Sequence, residues 1–161
     1  MKNEDKIFAE RALKQLLIGS QLDGVRFGSG PGIVYVYFAH YSEQDPDILW
    51  LHIDIRKIAV FTNLEQLKMF PPKNLKELDD QESFQLFLDN RREKVKDIWL
   101  GSTSPHLYIV FESGKILYVH GEDQNYESWQ IGDGYGYGED QWLIVAVPGN
   151  EIAVWSPGEF E

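Results

Sequence analysis

The sequence predicts an α+β fold with two antiparallel β-meanders related by an internal duplication. Three observations lead there. Leu107, Ile109 and Phe111 fall on one face of an extended segment, with Tyr108 and Val110 on the other. Glu112-Ser113-Gly114-Lys115 then turns the chain, Gly114 supplying positive φ, and Ile116–His120 runs back as the second arm of a β-hairpin. Second, residues 22–38 lie over 95–111 at one constant displacement. Leu22 falls on Val95, Val25 on Ile98, Gly28-Ser29 on Gly101-Ser102, Tyr35 on Tyr108 and Phe38 on Phe111. Ile48–His52 matches Ile116–His120 in the same way, and the first copy has the longer turn, Ala39–Asp47. Third, aromatic residues make up 14% of a chain that is 43% hydrophobic, a share that leans towards strands.

The elements follow in order. Glu4–Ile18 is helical on the stripe Phe8, Ala9, Ala12, Leu13, Leu16 and Leu17, with Asn3 placed to cap it and Gly19 to stop it. Leu22–Gly28 and Ile33–Phe38 are strands around Ser29-Gly30-Pro31-Gly32, followed by strands Ile48–Ile55 and Lys57–Thr62. Asn63–Phe70 is a short helix that Pro71-Pro72 ends, and Pro71–Asp80 is a polar linker. Gln81–Glu93 is a second amphipathic helix, capped by Asp79 or Asp80, with Phe84, Phe87 and Leu88 inward. Val95–Leu100 opens the second meander, with Trp99 expected in its core. Tyr126–Ile131 and Trp142–Val147 continue it, and Glu151–Trp155, covered on both faces, closes it. The last residues are expected to fray. Pseudo-repeat halves 20–62 and 95–156, joined by the helical connection 63–94, make one domain over 1–161.

Charge and composition bound the function. A formal net charge of −11 repels phosphate, so neither nucleic acid nor an anionic membrane is an expected partner, whereas a basic protein is attracted. No apolar run is long enough to span a bilayer, and the charged opening Met1–Lys6 is no signal peptide. The chain has no cysteine, which excludes disulfides and thiolate chemistry and suits the cytoplasm.

Two stretches stand out as binding loops. Gly132–Asp140 combines four glycines with Asp133, Tyr135, Tyr137, Glu139 and Asp140. It lacks the Lys-Ser/Thr of a phosphate loop and the acid spacing of an EF-hand. Tyrosine on a loose backbone is what adaptable protein-binding surfaces use, although a plain hairpin connection would read the same way. His40–Asp47 is its counterpart in the first copy, with Tyr41, Glu43, Asp45 and Asp47. Together they predict an acidic, tyrosine-bearing surface.

Catalytic signatures are missing. There is no nucleophile elbow, zinc-protease helix or dinucleotide glycine pattern, and no cofactor is expected. His52-Ile53-Asp54 and His120-Gly121-Glu122 each set an imidazole and a carboxylate on one face of a strand. Such pairs can begin a metal site or orient a general base, and equally can be ordinary contacts at a strand end.

The Leu107–Val119 strand–Gly–strand unit, Tyr126-Glu127-Ser128-Trp129 and the closing Pro148–Trp155 segment resemble small, poorly characterised bacterial β-rich domains. Some of these look like immunity proteins of contact-dependent or polymorphic toxin systems. The resemblance covers about residues 95–156 and implies a non-enzymatic, toxin-neutralising role. The leading expectation is thus a cytoplasmic bacterial immunity protein that occludes a basic toxin with acidic loops. The alternative is a small-molecule or metal-dependent domain built on the two His–acid pairs. A homodimer with paired edge strands is a third.

Overall fold

The computed structural model describes residues 1–73, 75–136 and 141–160. The fold is α+β: among the described residues three α-helices and ten strands are present, the strands in two antiparallel sheets. The N-terminal helix is α1 (Asn3–Leu17), and the connection between the halves holds α2 (Leu64–Met69) and α3 (Asp80–Asp89). The first half supplies β1 (Gln21–Phe27), β2 (Ile33–Ala39), β3 (Ile48–Asp54) and β4 (Ile58–Phe61). The second supplies β5 (Val95–Leu100), β6 (Leu107–Phe111), β7 (Ile116–Val119), β8 (Trp129–Asp133), β9 (Leu143–Val147) and β10 (Glu151–Trp155). No helix among the described residues is long and apolar enough to cross a membrane.

The halves do not keep their strands to themselves. One sheet runs β1-β2-β3-β8-β9-β10 and the other β4-β7-β6-β5. Each half makes a three-stranded meander and then sends its fourth strand to the other sheet, β4 onto β7 and β8 onto β3. The expected second meander therefore ends at β7, and β8 to β10 extend the first. The first two strands of each half pair alike. Leu22 faces Phe38 and Val25 faces Val36, while their counterparts Val95 and Ile98 face Phe111 and Ile109, and a bulge follows Leu22 and Val95 alike. The likeness of the halves extends no further than these first two strands.

The third strands depart from it. Tyr35 pairs with His52, but Tyr108 pairs with Tyr118 and not with His120. The turn decides this. Phe111 N–H donates to the Lys115 carbonyl and Gly114, at φ +92°, closes back on Phe111, which sets the register one pleat away from the sequence match. His52 and His120 are thus not equivalent in strand pairing.

The inner faces of both sheets share one core with α1. Val36, Phe38, Leu49 and Ile131 from one sheet meet Ile98, Ile109, Phe111 and Leu117 from the other, with Leu13 and Leu16 of α1 between them. A smaller cluster, Phe61, Leu67, Ile116 and Tyr118, lies on the far face of the four-stranded sheet.

Several local expectations are corrected. Asn3 lies inside α1, whose N-cap is Lys2 without a side-chain bond, while Gly19 does end the helix at φ +89°. Asp79 caps α3 through the Glu82 N–H (2.8 Å). Ser83, not Leu88, takes the inner face beside Phe87, because its hydroxyl donates to the Ile55 carbonyl (3.0 Å). Leu88 is left 66% exposed. The helix stops at Asp89 rather than Glu93 because the chain there bends into β1: Arg92 N–H donates to the Leu22 carbonyl, and Leu22 N–H to that of Glu93. Trp99 is only half-buried, stacked on Tyr108 at 5.3 Å, and Trp155 on the edge strand β10 is exposed. The tail is pinned instead of frayed: Phe160 packs on Trp142 (4.8 Å) and Phe8 (5.6 Å), under the Arg11 guanidinium.

Candidate functional site

The long β2–β3 turn is anchored, so its acids are presented in a fixed place. His40 is buried and its Nε2 lies 2.7 Å from the Leu16 carbonyl at the end of α1, a bond that requires the proton on Nε2. Gln44 donates to the Gln15 carbonyl (3.1 Å), and His40 N–H closes the turn on the Asp47 carbonyl. Glu43, Asp45 and Asp47 remain exposed. Tyr41, 71% exposed, donates its hydroxyl to Asp23 on β1 (2.6 Å), and that carboxylate raises the phenol above its ordinary pKa.

The glycine-rich segment leaves β8 over an aromatic floor. Gly132 lies under the Trp50 indole, where a Cβ would come within 2.4 Å of the ring. Gly136, at φ +81°, sits against Tyr35. These two glycines serve close approach, where the sequence suggested looseness. Trp50 Nε1–H donates to the Asp133 carbonyl (3.1 Å), and the Asp133 carboxylate accepts the Trp142 N–H (2.9 Å). Tyr37 accepts from Arg26 Nε and donates to the Tyr135 carbonyl (3.1 Å), leaving the Tyr135 ring 57% exposed. Tyr137, Glu139 and Asp140 lie outside the described residues.

The two loops meet. Asp45 from the first and Asp133 from the second line one cleft of about 460 Å³ together with Glu159, Gln15, Trp142 and Phe160. Three carboxylates lining one cleft suit a lysine or arginine side chain. Tyr41 does not line this cleft. Glu159 and Phe160 belong to it because the tail docks, and the Phe8 and Trp142 aromatic partners were the only signals in the sequence that could have placed them.

The His–acid pairs come apart. Asp54 is held by Arg56 through its backbone N–H (3.0 Å), Nε (2.9 Å) and Nη2 (2.7 Å). Burial pushes Asp54 up, but these bonds together outweigh it and leave the carboxyl below its ordinary pKa. His52 packs on Tyr35 at 4.8 Å, and burial lowers its pKa. His120 joins a different set. Its Nδ1 is 3.0 Å from the Tyr118 hydroxyl, which lies 3.1 Å from His106 Nδ1, and Gly121 N–H also donates to that nitrogen (3.0 Å). Burial lowers both imidazoles and raises Tyr118 far above a free phenol. Glu122 stands 4.0 Å from His106 Nε2. His106 was missed as a partner, although Leu107 pairing with Val119 makes residues 106 and 120 cross-strand neighbours. Among the described residues no group of three or more His, Asp or Glu side chains is placed to hold a metal ion.

Compared with protein-family models, curated proteins and solved structures, the chain matches none.

Proposed function

We propose that this protein is a non-enzymatic binding protein whose partner is a basic protein domain, seated on the cleft between the two acidic loops. The supporting observation is that convergence: Asp45 and Asp133, far apart in the sequence, line one cleft together with Glu159. A net charge of −11 raises the encounter rate with a cation and does nothing for a neutral ligand. The resemblance of residues 95–156 to immunity-protein-like domains favours a bacterial toxin as that partner, bound in the cytoplasm so that its basic active site is covered.

The test uses Asp45→Asn with Glu159→Gln, two changes that preserve shape and spare Asp133, whose carboxylate holds the loop. The probe is the short C-terminal toxin domain of a secreted protein encoded beside this chain. Association at low salt should slow at least about threefold, with a smaller difference at high salt. An association rate that stays at the wild-type value at low salt would sink the assignment of the cleft. Failure of the chain to bind or neutralise the toxin at all would sink the functional reading.

A further inference from the structure

A second surface lies where β1 meets α3. Beyond Leu22, no strand among the described residues pairs with the outer edge of β1. The turn after α3 covers the start of that edge, through Leu22, Arg92 and Glu93, and Arg91 Nε–H donates to the Asp23 carbonyl (3.3 Å). Gly28 N–H donates to the Ile33 carbonyl, and an antiparallel ladder alternates, so Val25 and Phe27 turn their own N–H and C=O groups outward. An edge of this kind is a template for another extended chain. Beside it runs an apolar groove of about 430 Å³, lined by Val25, Phe27, Phe84, Phe87 and Leu88. Phe27 is 73% exposed despite its ring contact with Phe84 at 5.0 Å, and Leu88 stands open next to it.

The occupant follows from charge. Asp23 and Arg91 are the charged residues lining the groove, one of each sign, so it is locally neutral in a chain of net −11. The groove adds no local attraction for a cationic partner, whereas another acidic molecule meets less repulsion there than at the acidic cleft. We infer that the occupant is a second copy of this chain, with β1 paired antiparallel to its own counterpart about a two-fold axis. An axis normal to the sheet keeps both copies of α3 on the same side, so Phe27, Phe84 and Leu88 of each copy are covered by those of the other. With Val25 on the axis, Arg26 falls opposite Gly24, which carries no side chain and has open space around it. The result is one continuous sheet through two molecules, with the acidic clefts left to the basic partner.

Sedimentation equilibrium of the full chain over roughly 1 to 100 µM tests this. The wild type should dimerise, and Phe27→Asp and Leu88→Asp should each weaken the dimer about tenfold or more. Both positions are exposed, so neither change threatens folding. Trp155→Asp, on the opposite edge strand, should leave the dimer intact. Raising salt should hold or strengthen the dimer, because it screens repulsion between two molecules of like charge. A wild type that is monomeric throughout overturns the inference, as does a dimer indifferent to both substitutions. A monomeric chain in which Phe27→Asp abolishes toxin binding would give the groove to the basic partner and overturn it equally.

Discussion

Gly132→Ala puts the packing under the candidate site to a quantitative test. The added Cβ would stand 2.4 Å from the Trp50 ring, and ring atoms of a buried indole cannot yield as the tip of a lysine can. Relief requires the indole to move, which overpacks its surroundings at about 1–3 kcal/mol. The move also strains or breaks the Nε1–H bond to the Asp133 carbonyl, worth about 1 kcal/mol. Against these, replacing a strand glycine by alanine gains about 0.5–1 kcal/mol from the unfolded chain. The net expectation is a loss of about 1–3 kcal/mol, read from the urea midpoint at constant m-value. A double-mutant cycle isolates the cause. In a Trp50→Leu background the indole is gone, so Gly132→Ala should cost less than about 0.5 kcal/mol. An equal cost in both backgrounds would refute the close-approach account and return Gly132 to the role of a flexible link.

Other outcomes follow from the same coordinates. His52, His106 and His120 all have folded pKa values pushed below about 6.5 by burial, so below that pH the unfolded chain binds protons that the fold refuses. Stability should therefore rise with pH across the window between the depressed values and 6.5. A urea midpoint at pH 5.5 equal to or above that at pH 7.5 would contradict it. Asp79→Ala removes the cap on the Glu82 N–H and should cost about 1 kcal/mol in the same assay, with Asp79→Asn recovering most of it. Phe160→Ala removes ring contacts with Phe8 and Trp142 and the Arg11 cation–π contact, an expected loss of about 1–2 kcal/mol. A frayed tail would show no change.

What the sequence made legible was local. Leu107–Val119 alternates and turns on Gly114, so both arms of that hairpin and its turn stand where they were expected. The first two strands of each half could be overlaid because Leu22 and Phe38 are buried, as are their counterparts Val95 and Phe111. The exchange of β4 and β8 was not legible, since no residue of Ile58–Phe61 says whether it will pair with β3 or β7. The inward face of α3 was misread at Leu88 because a hydropathy pattern does not count a serine hydroxyl, and Ser83 bonds a carbonyl that no apolar side chain could satisfy. For the site, the two acidic turns were legible as loops and their meeting was not. It depends on His40 pinning one turn to α1 and on Asp133 pinning the other to Trp142. The histidine at 106 escaped for a related reason, because an imidazole pair across a hairpin is visible only once the register is known.

An acidic surface and a locally neutral one on the same acidic chain give the proposals an internal check. If the cleft takes a cation, its affinity must fall as salt rises, because screening removes an attraction. If the β1 edge takes a second copy, its affinity must hold or rise over the same range, because screening removes a repulsion while burial of Phe27 and Leu88 is unaffected. Both responses come from the same −11, so neither can be adjusted without moving the other. A protein whose toxin binding and self-association both weakened with salt would require attraction between like-charged copies. In that case the local neutrality of the groove, set by Asp23 and Arg91, would be the wrong basis for choosing its occupant.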